Sequence, residues 1–114
     1  MKKDISVAFA SLKLKENFEE LIKGKFEDKR LHDFIDRAIN DLKSNPARGS
    51  RISKKLWPKE YIRFGVTNLW KYNLPNAWRI IYTLTGNDLK IVSIILEWFD
   101  HKEYEKRFHY LFLI

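Results

Sequence analysis

The constraint that acts first on this chain is a stripe of apolar residues: Leu31, Phe34, Ile35, Ala38, Ile39 and Leu42 fall at i, i+3, i+4, i+7, i+8 and i+11. Only an α-helix brings those positions onto one side, so this segment predicts a long amphipathic helix that must bury one face. Asp28 is placed to cap its start and Asn45-Pro46 to close it. Upstream, Leu14, Phe18, Leu21 and Ile22 repeat at the same spacing and stop at Gly24, a residue suited to the left-handed position after a helix. The short connection predicts an antiparallel helical hairpin whose stripes share one core.

On either side of the hairpin the period changes from helical to two. Ile5, Val7 and Phe9 alternate with Ser6, Ala8 and Ala10, which reads as a half-buried first strand. Trp70 to Leu74 and Ala77 to Leu84 flank Pro75-Asn76 and predict adjacent antiparallel strands. After the turn Thr85-Gly86-Asn87-Asp88, the run Leu89 to Phe99 is nearly all apolar and isoleucine-rich, as a central strand covered on both faces would be. Asp100 and Glu103 have the spacing of a capping box, so a last helix starts there, with Tyr104, Phe108 and Leu111 facing inward. The apolar stretch Leu111 to Ile114 then needs a surface to pack on, in the domain or on a partner. Between these parts, Ala47 to Asn68 shows no sustained period and reads as loop with a short turn or edge strand. The order predicts one α+β domain over residues 1–114: an N-terminal strand and helical hairpin packed on a small, mainly antiparallel sheet, a short C-terminal helix, and the helices on one side.

With 45% hydrophobic and 15% aromatic residues, 114 residues can close a core without a metal or disulfide staple. The chain has no cysteine, which excludes thiol catalysis and Cys-based zinc sites. No apolar run is long enough for a transmembrane helix. Met1-Lys2-Lys3 before Ile5 to Leu12 imitates a signal peptide, but Asp4 interrupts it, Lys13 and Lys15 end it early, and no small-residue cleavage site follows.

The net charge of +7 is concentrated. From Arg48 to Arg79 there are eight basic residues (Arg48, Arg51, Lys54, Lys55, Lys59, Arg63, Lys71, Arg79) against one acid, Glu60, and the rest of the chain carries fourteen of each sign. A neutral scaffold with one basic segment suits a polyanion, because clustered cations release counterions from phosphates. A solvated, solubilising loop would have the same composition.

Alternation places Lys71 and Asn73 opposite the aromatic face of their strand, and Arg79 opposite Trp78, Ile80 and Tyr82. If Lys71 and Arg79 lie on the same side of the sheet, they put two cations on a surface flanked by the basic loop, where such groups are commonly only solvated. Here the last helix adds His101 and Tyr104, one turn apart at a helix start, where free amides also attract phosphate. His32 lies off the stripe of the long helix, and His109 has no clear constellation.

The stretches Leu69-Trp70-Lys71, Ala77-Trp78-Arg79-Ile80-Ile81-Tyr82 and Asp100-His101-Lys102-Glu103-Tyr104 resemble the hairpin, the arginine-bearing strand and the C-terminal active-site motif of the RelE/ParE superfamily of toxins. The pattern covers roughly the C-terminal half, while the order of elements is similar throughout. Lys54-Lys55-Leu56-Trp57-Pro58-Lys59-Glu60-Tyr61 looks like an extension of archaeal members. The position two after Lys71, basic in many ribosome-dependent members, is Asn73 here; the arginine of the C-terminal motif is replaced by His101-Lys102, closer to a histidine-bearing branch.

The resemblance implies a cytoplasmic type II toxin, a RelE-like mRNA interferase that cuts messenger RNA on the ribosome, with no metal or other cofactor. It implies an acidic antitoxin as partner, in a homo-oligomer or a hetero-oligomer with that antitoxin, and no membrane. Arg79 and Lys71 would stabilise charge on phosphorus, His101 would act as general acid or base, and Tyr104 would position groups or share in proton transfer. Lys54, Lys55, Lys59, Arg63, Asn73 and Lys102 would contact RNA. Two other readings compete: a gyrase inhibitor of the ParE branch, which needs no His101, and a basic RNA-binding module without catalysis.

Overall fold

The computed structural model describes residues 3–108. His109 and the apolar stretch Leu111 to Ile114 lie outside the described residues. The chain is α+β, with four α-helices among the described residues and a five-stranded mixed sheet in the order β1-β5-β4-β3-β2.

Strand β1 (Asp4–Phe9) runs parallel to β5 (Lys90–Phe99). At its end the Ser11 hydroxyl accepts the Leu14 amide (3.1 Å) and starts α1 (Leu12–Glu20), which tightens into a 3-10 turn at Leu21–Lys23. Gly24 is extended, with φ −83° and ψ −162°, not left-handed as the sequence suggested. Space is the constraint instead: a Cβ there would lie 2.3 Å from an Asp28 carboxylate oxygen. That carboxylate accepts the Lys25 amide (3.1 Å), so Asp28 sits inside the first turn of α2 (Phe26–Ser44) and reaches back, rather than preceding the helix as its cap. The stripe of α2 behaves as its spacing requires, with Leu31, Ile35, Ala38 and Leu42 buried against Leu74, Ile80, Tyr82 and Ile95 of the sheet.

Helices cover both sides of the sheet, where one side had been expected. Ile80, Ile81 and Tyr82 of β4 (Arg79–Gly86) are all fully buried although neighbours alternate between faces, so each face needs a cover. The second core joins Ile52, Tyr61, Leu69, Ile81 and Phe99 to Tyr104 and Phe108 of α4 (His101–Phe108). Between Ile81 and Tyr82 the β4–β5 register slips: Ile81 faces Glu97, Tyr82 faces Ile95, and Leu96 is the extra residue. The bulge lets Leu96 pack on the second core while Glu97 accepts hydrogen bonds from Tyr61 and Arg107 on that same side.

The segment read as loop with a short turn or edge strand contains that edge strand and, beyond it, a helix. Ser50–Arg51 forms the edge strand β2, and Lys59–Arg63 forms a helix, α3. Ile52, Tyr61 and Leu69 anchor the segment by reaching the second core. These anchors are too widely and irregularly spaced to show as a period. Strand β3 (Trp70–Asn73) follows, joined to β4 by a turn in which Asn76 and Ala77 both take left-handed φ, 59° and 61°. β4 therefore begins at Arg79 rather than Ala77.

Candidate anion site on the Tyr104 face

The second face of the sheet brings together four of the residues singled out above, Lys71, Asn73, Arg79 and Tyr104. In the β3–β4 pair, Asn73 faces Arg79 and Lys71 faces Ile81, which puts Lys71, Asn73 and Arg79 on the side of Ile81 and Tyr104. Arg79 is in turn opposite Phe99 of β5. Phe99 precedes His101 by two residues, so β5 delivers the start of α4 to the end of the sheet that carries Arg79. Asp100 fixes that start, its carboxylate accepting the Glu103 amide (2.9 Å) and its carbonyl the Tyr104 amide (2.9 Å). The Glu103 carboxylate accepts from Arg107 Nε (3.2 Å).

Tyr104 is the hub. Its side chain is only 2% exposed, packed 6.0 Å from the Phe99 ring and 4.7 Å from the Phe108 ring. The Lys71 ammonium lies 5.3 Å from its ring centroid and the Arg79 guanidinium carbon 5.5 Å. Both distances are in the range where a cation is drawn to an aromatic quadrupole. Arg79 donates through Nη1 to the Trp78 carbonyl (3.2 Å), while its Nε is buried with no hydrogen-bond partner among the described residues. Burial, and then the nearby charge of Arg79, hold the Lys71 ammonium below the usual lysine pKa. Among the described residues neither cation forms an ion pair with a carboxylate. Two like charges crowded without a counterion favour an anion between them.

Beside Lys71, at the sheet edge, a hollow of about 270 Å³ is lined by Arg48, Gly49, Ser50, Tyr72, Asn73 and the Asp41 carboxylate. The Tyr72 hydroxyl donates to Asp41. Burial and that hydrogen bond push the Tyr72 pKa up to about 12. Arg48 thereby joins Lys71 and Asn73 as a lining residue; it had counted only as one charge in the basic segment.

His101 is held differently. Its Nε2 pairs with Glu105 Oε1 (2.8 Å), with the imidazole 49% and the carboxylate 29% exposed. Glu105 had not been singled out, although its i+4 spacing from His101 is legible. Thus His101 and Tyr104 start from one helical turn but reach different surroundings, one half-open and one enclosed. Lys102, Lys54, Lys55 and Arg63 are exposed side chains on α4, the 3-10 turn at Lys54–Leu56 and α3. Lys59 lines a groove of about 530 Å³ with Trp57, Glu103, Lys106 and Arg107.

Arg107, which no motif in the sequence marks, is more deeply engaged. It binds Glu97 through Nη1 (2.9 and 3.1 Å) and Glu103 through Nε, and Glu97 also accepts from Tyr61 Oη (2.5 Å). Burial and the Glu97 hydrogen bond push the Tyr61 hydroxyl far above the ordinary tyrosine range. This network ties α3, β5 and α4 together. Glu97 sits in an apolar run and Tyr61 in an aperiodic one, so the i, i+4 spacing of Glu103 and Arg107 is the one sequence signal that could have revealed it. No helix among the described residues is long and apolar enough to cross a membrane. No protein-family model, no curated protein and no solved structure matches this chain.

Proposed function

We propose that the chain is a RelE-like toxin that cleaves messenger RNA in the ribosomal A site, with an acidic antitoxin as its partner. The observation that carries the reading is the pair Lys71 and Arg79, two cations with no carboxylate counterion among the described residues, set on one buried ring at the end of the sheet where α4 begins. In the reaction a ribose 2′-oxygen bonds to the adjacent phosphorus as its proton is removed, and the bond from phosphorus to the 5′-oxygen breaks as that oxygen gains a proton. Charge rises on the non-bridging oxygens between those events, where Lys71 and Arg79 would act. His101 serves as the proton-transfer group, with its ring orientation fixed by Glu105. Tyr104, enclosed as it is, positions the cations. Lys102 at the first turn of α4 and Lys54, Lys55, Lys59, Arg63 and Asn73 supply the wider contact with RNA.

The half-exposed His101–Glu105 pair also fits a binder that needs no imidazole, the gyrase-inhibitor reading. Primer extension on ribosome-bound message separates the two. Cuts within A-site codons by the wild type, lost in Arg79→Ala and His101→Ala, support the nuclease. Growth arrest with DNA damage and intact message supports the inhibitor and ends the nuclease proposal.

A further inference from the structure

On the opposite face of the sheet from Tyr104, the first turns of α2 and the turn between β3 and β4 leave a cleft of about 330 Å³, at the small end of the size of ligand sites. Glu27, Asp28, Arg30, Phe34, Asn76 and Trp78 line it. The Arg30 guanidinium carbon lies 5.7 Å from the ring centroid of Phe26 and 5.5 Å from that of Phe34, so its charge rests between two rings rather than on a carboxylate. Phe26 is 72% exposed at the rim. Across the cleft, Asn76 and Ala77 hold their left-handed φ, an uncommon conformation for alanine, and this turn brings Asn76 and Trp78 to the same opening.

Asp28 already gives a carboxylate oxygen to the Lys25 amide, but among the described residues the side-chain polar groups of Glu27, Asn76 and Trp78 make no hydrogen bond. The lining therefore offers aromatic faces, a carboxylate acceptor, an indole donor and a carboxamide that is both. A phosphate is a poor occupant beside two carboxylates, and an aliphatic chain would leave the polar groups unmatched. A neutral planar ring with donors and acceptors along its edge suits both sets, which is the chemistry of an unpaired nucleobase. Trp78 and Arg79 are consecutive residues on opposite faces where β4 starts, and Arg79 Nη1 donates to the Trp78 carbonyl (3.2 Å). A strand whose phosphate lies at Arg79 has only to pass over residues 75–77 to bring a neighbouring base into the cleft. We propose that this cleft is a nucleobase subsite, stacking one unpaired base on Trp78 and reading its edge with Glu27 and Asn76. The inference rests on the reading of the Tyr104 face as an RNA site.

The test uses the full chain and a short single-stranded RNA carrying 2′-O-methyl groups, which cannot be cut because the attacking hydroxyl is blocked. The Trp78 indole N–H resonance, assigned by its loss in Trp78→Phe, should shift on binding. When each base in turn is replaced by an abasic unit, one position should remove that shift and weaken binding several-fold. Arg79→Ala should weaken the intact and the abasic RNA alike. Glu27→Gln and Asn76→Gly, at two exposed positions where the new residue suits the backbone, should each shrink the difference between the two RNAs. A free nucleoside should need a far higher concentration for the same shift, since it lacks the phosphate contact. Saturable binding with a silent Trp78 resonance, equal affinity for intact and abasic RNA, no binding of either, or a nucleoside that binds as tightly as the RNA would each overturn the subsite. Cleavage is decided separately on ribosome-bound message: RNA seated at Trp78 by a chain that never cuts ends the nuclease and keeps the subsite, and cutting with Trp78 silent does the reverse.

Discussion

Lys71 and Arg79 meet over one ring: the ammonium stands 5.3 Å and the guanidinium carbon 5.5 Å from the centroid of Tyr104. A buried aromatic residue is the part of this arrangement that the fold can hold rigidly. The cations, one on each of two paired strands, repel each other, and the ring partly offsets that repulsion.

Replacing Lys71 by methionine should therefore leave stability unchanged or raise it by up to about 1 kcal/mol, since it removes a half-buried charge beside another of the same sign. Urea unfolding at neutral pH measures this. Under the proposed nuclease function, ribosome-dependent cleavage by the same variant should be lost, and a variant that is both less stable and fully active would contradict the arrangement.

Tyr104→Leu should keep most of the buried volume and lose the aromatic face. A loss of about 1–3 kcal/mol is expected, the lower part from cation–π attraction and the remainder from imperfect packing against Phe99 and Phe108. Combining it with Lys71→Met tests the coupling: the penalty for Tyr104→Leu should shrink in the Lys71→Met background if the ring supports the cation.

Gly49→Ala should destabilise the fold by about 1–3 kcal/mol. A Cβ there would lie 2.3 Å from the Lys71 carbonyl oxygen and 2.6 Å from the Tyr82 hydroxyl. That hydroxyl accepts the Gly49 amide (3.0 Å) and donates to the Pro46 carbonyl (2.9 Å), so the link from α2 to β2 is pinned just where it passes Lys71. Thermal unfolding gives the magnitude, and an unshifted midpoint would show that the link can move aside.

Alkaline pH should weaken the fold through its tyrosines. Tyr72 is raised to about 12 and Tyr61 further, against roughly 10 for an unfolded tyrosine. Their stabilisation is complete below pH ~10 and is lost as the pH climbs toward the folded values, because the unfolded chain releases those protons first. Lys71 acts in the opposite sense just below the ordinary lysine pKa, where its depressed folded value makes the protein gain stability as pH rises. Urea midpoints should nevertheless fall between pH 10 and about 12, and less steeply in Tyr72→Phe, which removes one of the raised groups.

Residue patterning made one helix and two strands legible. The α2 stripe and the alternation of β1 each impose a spacing that one backbone geometry satisfies, and the nearly continuous, isoleucine-rich run of β5 suits a strand. Alternation put Lys71 with Asn73 on one face of their strand and Arg79 opposite Trp78 on its own; the register of the two strands then sets all three on one face. Helical coverage of the second face was not legible, because Ile81 alone between Ile80 and Tyr82 does not reveal that both sides of β4 are sealed. Residues 47–68 were obscured for a related reason: Ile52, Tyr61 and Leu69 are single anchors joined by polar turns, and three isolated anchors carry no period. In the candidate site, the meeting of Lys71 and Arg79 at Tyr104 followed from strand register and helix phase together. The Glu97–Arg107–Tyr61 network depends on a one-residue bulge at Leu96, which no pattern of side chains announces.

The parallel pairing of β1 with β5 has a consequence for how the chain acquires its shape. Asp4 lies beside Lys90 and Phe9 beside Ile95, so the earliest strand can find its neighbour only after nearly everything between them has been synthesised. Local hairpins such as β3–β4 can form while translation continues, but the sheet closes late and across a long loop, which slows the search. Until then a nascent chain carries an unsatisfied strand edge and the naked apolar flank of α2, and in that interval aggregation competes with folding.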